Sequence, residues 1–331
     1  MMKNINKITP YIAIVAAMLI WAGAGIAVKE ALVVFSPLTL IVMRFTLAVL
    51  LMLSIGLLFR HNSIVGLQRV ERKDIPLFLL GGLFQPFLYF IFETYTYQSF
   101  SSPTVAEALL STQPVMAPLF AWVLLRERVT RNNILGIVLS TLGVMMLMMM
   151  GGGPLAMGDG SIGKGVLLAV LTVSMSVSYS VLLRRIPTQY SPLSIVFYVQ
   201  SFALVLFYVL WGVMDRGSGL LGDSAPQISA AISGTPTAMR LLCEEQWLKS
   251  LLSVGYLAVL ASVTAFILFC YTVRQIGVTR ANVFNNVRPV FTAILMWIMF
   301  GEILPIWKII GIIIIIIGLF ISQKQEKGDK N

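Results

Sequence analysis

The chain has 331 residues, of which 58% are hydrophobic and 11% are charged, and its formal net charge is +10. Soluble domains carry roughly 25% charged residues, so this composition excludes an ordinary soluble enzyme, whose surface needs more charge than these side chains supply. The basic residues stand between apolar runs, which indicates membrane topology rather than nucleic-acid binding. A protein embedded in a lipid bilayer is therefore predicted.

Long apolar runs recur along the whole chain. A membrane-spanning helix needs about 20 residues, and ten runs approach this length, at residues 11–28, 37–58, 75–97, 103–124, 132–150, 164–183, 192–214, 249–273, 279–300 and 305–322. The alternation of barrel strands is absent, so each run is predicted to be a helix. The first run is longer than a signal-peptide core, and we expect it to be retained as a span. The predicted fold is an all-α membrane protein with ten transmembrane helices.

Lysine and arginine residues are distributed unevenly between the two sides that these spans define. With the N-terminus inside, 16 of the 24 basic residues fall on the inner side, six fall on the outer side, and Arg44 and Arg288 lie within spans. Cytoplasmic segments carry the excess of basic residues in membrane proteins. Both termini are therefore predicted to be cytoplasmic, in a multi-pass protein of the cell (inner) membrane.

An internal repeat relates the two halves of the chain. Nine residues between Thr104 and Gly143 recur 175 positions later, between Thr279 and Gly318. The Ser-Pro-Leu sequence that begins at Ser36 returns before the seventh run, at an offset of 155. Each half holds five spans, and an odd number inserts the second half upside down. Such inverted repeats are typical of secondary transporters.

The repeat sets the predicted domain boundaries. We expect a first five-helix repeat, a central outer loop, a second and inverted repeat, and a cytoplasmic tail, at residues 1–150, 151–163, 164–322 and 323–331. The change of offset by 20 residues predicts an insertion in an outer loop near 215–248. Its end, from Thr235 to Lys249, is predicted to form a short helix on the outer membrane surface.

Several motifs of this chain resemble the EamA family of the drug/metabolite transporter superfamily. They are Trp21-Ala-Gly-Ala-Gly followed by Lys29, Ser36-Pro37 with Arg44, the Pro114 to Glu127 block that continues to Thr130, and the Pro289 to Glu302 block followed by Gly311 and Gly318. The resemblance covers nearly the whole chain. It implies an alternating-access carrier of small metabolites, often an exporter of amino acids or related compounds.

Ionisable side chains within apolar spans are rare and usually face a cavity or a partner. Arg44 lies about 10 Å inward from the outer end of its span, and Glu93 and Glu107 lie about 6 Å inward. An arginine and a carboxylate at similar depth can bind the two charged ends of a zwitterionic substrate, or can pair with each other to fix helix register. For Glu107, a solvated carboxylate at a helix start is a further alternative.

Polar side chains form related stripes in the fourth and ninth spans. Asn282 and Asn286 are four residues apart and share a helix face, as do Glu107 and Ser111 in the other repeat. Polar groups facing lipid would lack partners, so both stripes are predicted to look inward. They line either a wet cavity, which we favour, or a helix-to-helix contact.

Three further residues complete the predicted pathway. Arg288 lies roughly 13 Å from the inner end of its span and is the main candidate for contact with an anionic group, the alternative being an anchor to backbone carbonyls. Trp21 is a candidate for the wall of an amphipathic pocket, although packing is the commoner use of such rings. Lys29 either snorkels to the headgroups or, as the resemblance implies, lies near the pathway.

These observations predict a secondary active or facilitative transporter that moves a small metabolite, with export as the expected direction. A P-loop is absent, and so are spaced metal ligands, so we expect neither nucleotide nor metal cofactor. A proton or ion is the candidate coupling partner. The alternatives are an integral membrane enzyme, which a single histidine, His61, serves poorly, and a non-transporting receptor or scaffold, which does not require two exchangeable halves.

Overall fold

A computed structural model describes residues 8–59, 66–100, 130–149, 162–214, 237–300 and 306–323, together with positions 106, 109, 110, 113 and 117. The secondary structure of these ranges is helical, which confirms the all-α prediction. Most of the predicted fourth span, most of the central loop and most of the 215–248 insertion lie outside the described residues.

The first half contains α1 (Thr9–Ala31), α2 (Pro37–Leu58), α3 (Ile75–Gly82), α4 (Tyr89–Ser99) and α5 (Arg131–Met149). A π-helical turn, Leu83–Leu88, joins α3 to α4. Prolines open several of these helices at positions where the missing amide hydrogen has no intrahelical acceptor. At the start of α2, the Ser36 hydroxyl also accepts a hydrogen bond from the Thr39 amide at 3.3 Å, which caps the helix.

The second half contains α6 (Ile162–Arg185), α7 (Pro192–Met214), α8 (Thr237–Tyr256), α9 (Ala265–Ile276), α10 (Val278–Val283), α11 (Arg288–Phe300) and α12 (Ile306–Gln323). A π-helical turn, Leu257–Thr264, joins α8 to α9, and a 3₁₀ turn, Phe284–Val287, joins α10 to α11.

The separate surface helix predicted from Thr235 to Lys249 is wrong. In the structure, α8 runs without interruption from Thr237 into the apolar span. The physical reason is that neither glycine nor proline separates the polar start from the apolar continuation. An i,i+4 ion pair of 2.7 Å between Lys249 and Glu245 also supports the helix across that point.

Six helices of the described chain are long and apolar enough to cross a membrane. They are Thr9–Ala31, Pro37–Leu58, Ile75–Ser99, Gly163–Arg185, Pro192–Met214 and Glu245–Ile276. Their outward faces carry exposed large apolar side chains such as Leu50, Val205 and Leu252. This pattern fits a lipid-facing exterior around a buried interior.

Helices from opposite halves of the chain pack antiparallel to one another. The first example is α1, which packs against α8 and α9. The Ser250 hydroxyl donates to the Glu30 carbonyl at 3.0 Å near one end of α1. The Thr272 hydroxyl donates to the Pro10 carbonyl at 3.1 Å near the other end. Residue numbers therefore rise along α8 and α9 as they fall along α1.

The helices α2 and α7, which follow the repeated Ser-Pro sequences, form another antiparallel pair. Trp211 Nε1 donates to Thr39 Oγ1 at 3.2 Å, and the rings of Phe45 and Phe207 stack at 5.3 Å. The α3–α4 segment lies antiparallel to α6 in the same way, with Gly81 close to Tyr179 and Ser99 close to Gly165.

A close helix crossing joins α5 to α12 through glycines that the repeat had aligned. A Cβ atom added at Gly143 would lie 2.7 Å from the Gly311 carbonyl oxygen, and one added at Gly318 would lie 2.6 Å from the Ser140 amide nitrogen. Gly136 meets the Gly318 carbonyl. In the repeat, Gly136 corresponds to Gly311 and Gly143 corresponds to Gly318. The contact between Gly136 and Gly318 therefore has a symmetric counterpart in the contact between Gly311 and Gly143.

Replacing Gly143 by valine is expected to destabilise the protein by about 1–3 kcal/mol, because the added methyls meet backbone rather than a flexible side chain. Thermal unfolding of the detergent-solubilised protein measures the effect as a lowered Tm. Gly212→Val is the matched control, since a Cβ atom there meets nothing within 4 Å. Equal Tm values for both variants would contradict the crossing.

Candidate functional site

A small cavity lies within the bundle, where side chains from both halves meet. Its charged and amide-bearing walls are Arg44, Glu93, Arg288, Gln85, Gln113 and Asn285, and its aromatic walls are Trp21, Tyr89, Phe90, Tyr97, Phe266 and Phe269. The cavity volume is about 20 Å³, whereas a single water needs roughly 10–15 Å³ by the same measure. A metabolite can therefore enter only if the helices separate.

Arg44 is buried in this cavity and contacts groups from both halves. Its Nε donates to the Ser262 hydroxyl at 2.6 Å, and its guanidinium carbon lies 4.3 Å from the centre of the Phe90 ring. Glu93 lines the same cavity. The arginine thus stands over an aromatic face beside a carboxylate, a geometry that supports a cation in a site of low polarity.

Glu93 and Arg288 occupy other parts of the same wall. The Tyr89 hydroxyl donates to Glu93 Oε1 at 2.7 Å, which orients the carboxylate. The guanidinium carbon of Arg288 lies 5.8 Å from the Trp21 ring centre. Both charged side chains are less than one-tenth exposed. Two arginines and one carboxylate give these three residues a net charge of +1, which favours a ligand with an anionic group.

Interrupted helices border the cavity on several sides. Gln85 has an extended backbone within the turn between α3 and α4, at φ −145° and ψ 113°, and its buried Oε1 has no hydrogen-bond partner in the described chain. In the turn between α8 and α9, Trp21 Nε1 donates to the Ala261 carbonyl at 3.1 Å and Gln200 Nε2 donates to the Ser262 carbonyl at 2.6 Å. Side chains of other helices thus donate hydrogen bonds to backbone carbonyls in a turn where the regular helical pattern is interrupted.

The two π-helical turns are related by the sequence repeat. Adding the offset of 175 residues to the first turn, Leu83–Leu88, gives positions 258–263, which fall within the second, Leu257–Thr264. Broken helices that surround a central site are a recurring feature of transporters, since they expose backbone groups in a protected cavity.

The structure brings four of the predicted site residues together and places three elsewhere. Trp21, Arg44, Glu93 and Arg288 line the cavity, whereas Asn282, Asn286 and Lys29 are not among its lining residues. Glu107 and Ser111, the other two predicted site residues, lie outside the described residues.

Of the inward stripe predicted for Asn282 and Asn286, only Asn286 makes a helix-to-helix contact, and neither residue is among those that line the cavity. Asn286 Nδ2 hydrogen-bonds to the Ser140 hydroxyl of α5, and Asn282 Nδ2 donates to the Val278 carbonyl at 2.9 Å within its own helix. The tighter 3₁₀ turn at Phe284–Val287 rotates the register, because it has 3.0 instead of 3.6 residues per turn. Asn285 lines the cavity in their place. In the sequence, only its position next to Asn286 could have suggested this role.

Lys29 is an anchor between two helix ends. Its Nζ donates to the Phe100 carbonyl, which follows the last residue of α4. This contact satisfies a carbonyl at a helix C-terminus.

A hydrogen-bond network at one end of the bundle joins the loop before α3 to the loop before α7. The Tyr190 hydroxyl donates to Asp74 Oδ2 at 2.7 Å and accepts from the Glu71 amide at 3.0 Å. Arg274 donates to the Tyr190 and Pro187 carbonyls. The network connects the two halves at the end where the sequence concentrates arginine and lysine.

Replacing Tyr190 by phenylalanine is expected to favour opening of this end by about tenfold, because both hydroxyl hydrogen bonds are lost while the ring can keep its 5.3 Å edge contact with Phe78. Distances between spin labels at positions 72 and 188, in a variant without the two native cysteines, measure the opening. Tyr208→Phe, which removes the hydroxyl bonded to Thr46 on an exposed surface, is the control. An unchanged distance distribution would contradict a closing role.

Comparison with known proteins identifies relatives over almost the full length. A family model described as the EamA-like transporter family matches residues 8–149 and again residues 163–323. The uncharacterized transporter YetK of Bacillus subtilis (strain 168) is 25% identical over 96% of this chain and 87% of its own length. An uncharacterized transporter of Archaeoglobus fulgidus is 21% identical over 96% and 99%, respectively.

Another relative has a name that states its cargo. The S-adenosylmethionine/S-adenosylhomocysteine transporter of Chlamydia muridarum (strain MoPn / Nigg) is 24% identical over 93% of this chain and 89% of its own length. A crystal structure superimposes with a TM-score of 0.67 and 17% identity, over 95% of this chain and 96% of the other. At that identity the likeness establishes the shared fold.

Proposed function

We propose a function from the premise that this chain belongs to the EamA-like transporter family and is a multi-pass membrane transporter. The proposed activity is alternating-access transport of a small metabolite, an amino acid or a related polar or amphipathic compound, with export as its direction. The observation that carries the proposal is the small central cavity, in which Arg44, Glu93 and Arg288 are gathered from both halves of the chain.

The proposed architecture is ten transmembrane helices in two inverted five-helix repeats. Three observations support it: the antiparallel pairs formed across the two halves, the glycine contacts of α5 with α12, and the related π-helical turns. The proposed first repeat covers residues 1–150 and the second covers 164–322. Both termini are proposed to face the cytoplasm, on the side of the Tyr190 network and its neighbouring basic residues.

Alternating access follows from exchanging the conformations of the two repeats around the cavity. Opening of the end near Tyr190 would expose the cavity to one compartment, and opening of the opposite end, near Lys29 and Phe100, would expose it to the other. The interrupted helices provide places where the bundle can bend without breaking regular helical hydrogen bonds. The closed structure corresponds to the state between the two openings.

The cavity chemistry favours a substrate with an anionic group, a cationic group and a flat apolar part. Arg288 and Arg44 suit a carboxylate, Glu93 suits an ammonium group, and the aromatic walls suit a planar ring. Amino acids with ring-bearing side chains combine these features. The named cargo of the Chlamydia relative, an amino acid joined to a nucleoside, makes S-adenosylmethionine and S-adenosylhomocysteine further test substrates.

Counterflow into proteoliposomes tests the proposed function. Vesicles containing the purified protein are loaded with mixed amino acids, nucleobases or S-adenosyl compounds, and uptake of a radiolabelled trace of each compound is followed. Accumulation driven by the loaded compound supports the carrier. Chemical conversion of the label without counterflow would support the membrane enzyme, and binding without passage would support a receptor. Repeating the assay with an imposed pH gradient tests proton coupling.

A further inference from the structure

A second cavity opens on the side of the bundle, between α1, α8 and α11. It is a groove of about 560 Å³, much larger than the central cavity. The helix α1 separates the two, because Gly23 and Ala27 face the groove whereas Trp21 and Ala24 face the centre. The groove is therefore a separate site and no part of the proposed substrate cavity.

The groove has a charged mouth and an apolar length. Glu30, near the end of α1, and Lys249 of α8 line one end of the groove. Gly23 and Tyr256 line it seven residues away along their helices, which is about 10 Å. Leu295 of α11 forms another part of the wall.

Tyr256 forms the far end of the groove. Its hydroxyl donates to the Ile20 carbonyl at 2.7 Å, and its oxygen lies 2.5 Å from the place of a Cβ atom on Gly23. A glycine at position 23 thus allows the ring to lie against α1. The groove consequently ends about two helical turns from its charged mouth.

The rim of the groove faces the surroundings of the bundle. Leu252 is 64% exposed and Met299 is 62% exposed, and in a membrane transporter such apolar faces contact lipid. Hydrocarbon is the occupant that matches these walls, because a polar molecule would leave its hydrogen-bonding groups without partners. The charged mouth then has to match a headgroup.

We propose that this groove binds a phospholipid with an ethanolamine headgroup. One acyl chain lies along the apolar walls, the phosphate contacts Lys249, and the ammonium contacts Glu30. Their existing contacts are exchangeable: Lys249 and Glu245 form an ion pair with both side chains more than half exposed, and Glu30 accepts a long hydrogen bond of 3.4 Å from Gln246. Exposed pairs of this kind are weak.

Native mass spectrometry of the full-length protein in detergent tests the headgroup. Dioleoyl phosphatidylethanolamine, phosphatidylcholine and phosphatidylglycerol are added separately at equal concentration. The ethanolamine lipid is expected to bind about threefold more tightly than the choline lipid, whose methylated nitrogen cannot donate to Glu30. Glu30→Gln should remove most of this preference, Lys249→Gln should weaken the binding of all three phospholipids, and the control Lys164→Gln should leave both unchanged. Equal binding of all lipids, or a preference for phosphatidylglycerol, overturns the assignment.

Filling the groove tests its location. Ser253 lines the groove, and Ser253→Phe is expected to reduce lipid binding by about fivefold by occupying the space of the acyl chain. Gly255→Phe, whose Cβ position meets nothing within 4 Å, is the control and should bind normally. Ala27→Leu fills the groove from the α1 side and replaces Ser253→Phe in the test if that variant has a lowered Tm. Unchanged lipid binding in folded filling variants overturns the proposal, whatever the transport assay shows.

Discussion

Arg288→Ala is expected to reduce flux in the counterflow assay by about a hundredfold while the protein still folds. Arg288 is 3% exposed, and its guanidinium lies in the cavity wall over the Trp21 ring. If it binds the anionic group of the substrate, its removal leaves that group buried without a partner, which costs about 2–5 kcal/mol. A loss of 2.8 kcal/mol corresponds to roughly a hundredfold change in affinity. Arg288→Lys keeps the positive charge but loses the planar guanidinium, so its flux should lie between that of the wild type and that of Arg288→Ala.

The Arg288 experiment separates substrate binding from a structural role by a second readout. A ligand that binds only the folded state stabilises it and so raises Tm. The stabilisation is about 2.7 kcal/mol when the ligand concentration is a hundred times Kd. The wild-type protein should show this shift with its substrate, and Arg288→Ala should lose it without a comparable fall in the substrate-free Tm. Arg280→Ala, on the preceding helix and away from the cavity, is the matched control. Retained flux in Arg288→Ala removes this residue from the proposed site.

The sequence predicted the central charged residues because lipid makes ionisable groups conspicuous. Arg44, Glu93 and Arg288 stand out in apolar spans, and counting the helical rise placed Arg44 and Glu93 at similar depth. The structure brings all three to one cavity. Depth along a helix can be read from residue number, since the rise per residue is nearly constant.

Helix rotation was less predictable than depth. The i,i+4 rule assigned Asn282 and Asn286 to one inward face, but the 3₁₀ turn at Phe284–Val287 changes the rotation per residue and presents Asn285 to the cavity. Nothing in the local composition marks this turn. Likewise, the two π-helical turns change helix register over several residues, and the aromatic walls formed by Phe90 and Phe266 look like ordinary packing residues in the sequence.

Paired contacts between distant segments also escaped the sequence analysis. Lys29 was expected to snorkel or to approach the pathway, and its bond to the Phe100 carbonyl depends on how α1 lies against the end of α4. The Tyr190 network joins loops more than a hundred residues apart. Such contacts depend on the packing of whole helices, which short motifs do not encode, whereas the glycine spacing of α5 and α12 did mark a close crossing.

Glu93→Gln is expected to lower transport of an amino acid substrate by about tenfold to a hundredfold and to spare its analogue without the amino group. A hydrogen bond to a charged group contributes about 1.5–3 kcal/mol, and the amide has nearly the same shape as the carboxylate. Its oxygen can still accept from the Tyr89 hydroxyl, which now orients Glu93 at 2.7 Å. The substitution therefore removes the charge with little change in packing.

The comparison of the two compounds distinguishes the two predicted roles of Glu93. If the carboxylate binds the substrate ammonium, only the compound that has an amino group loses transport. If Glu93 instead serves to balance the charge of Arg44, both compounds lose transport equally, because the arginine that both would contact is then disturbed. Glu245→Gln, at an exposed ion pair outside the cavity, controls for the loss of a negative charge. An equal loss for both compounds would make Glu93 a positioning residue and leave the substrate ammonium without an assigned partner.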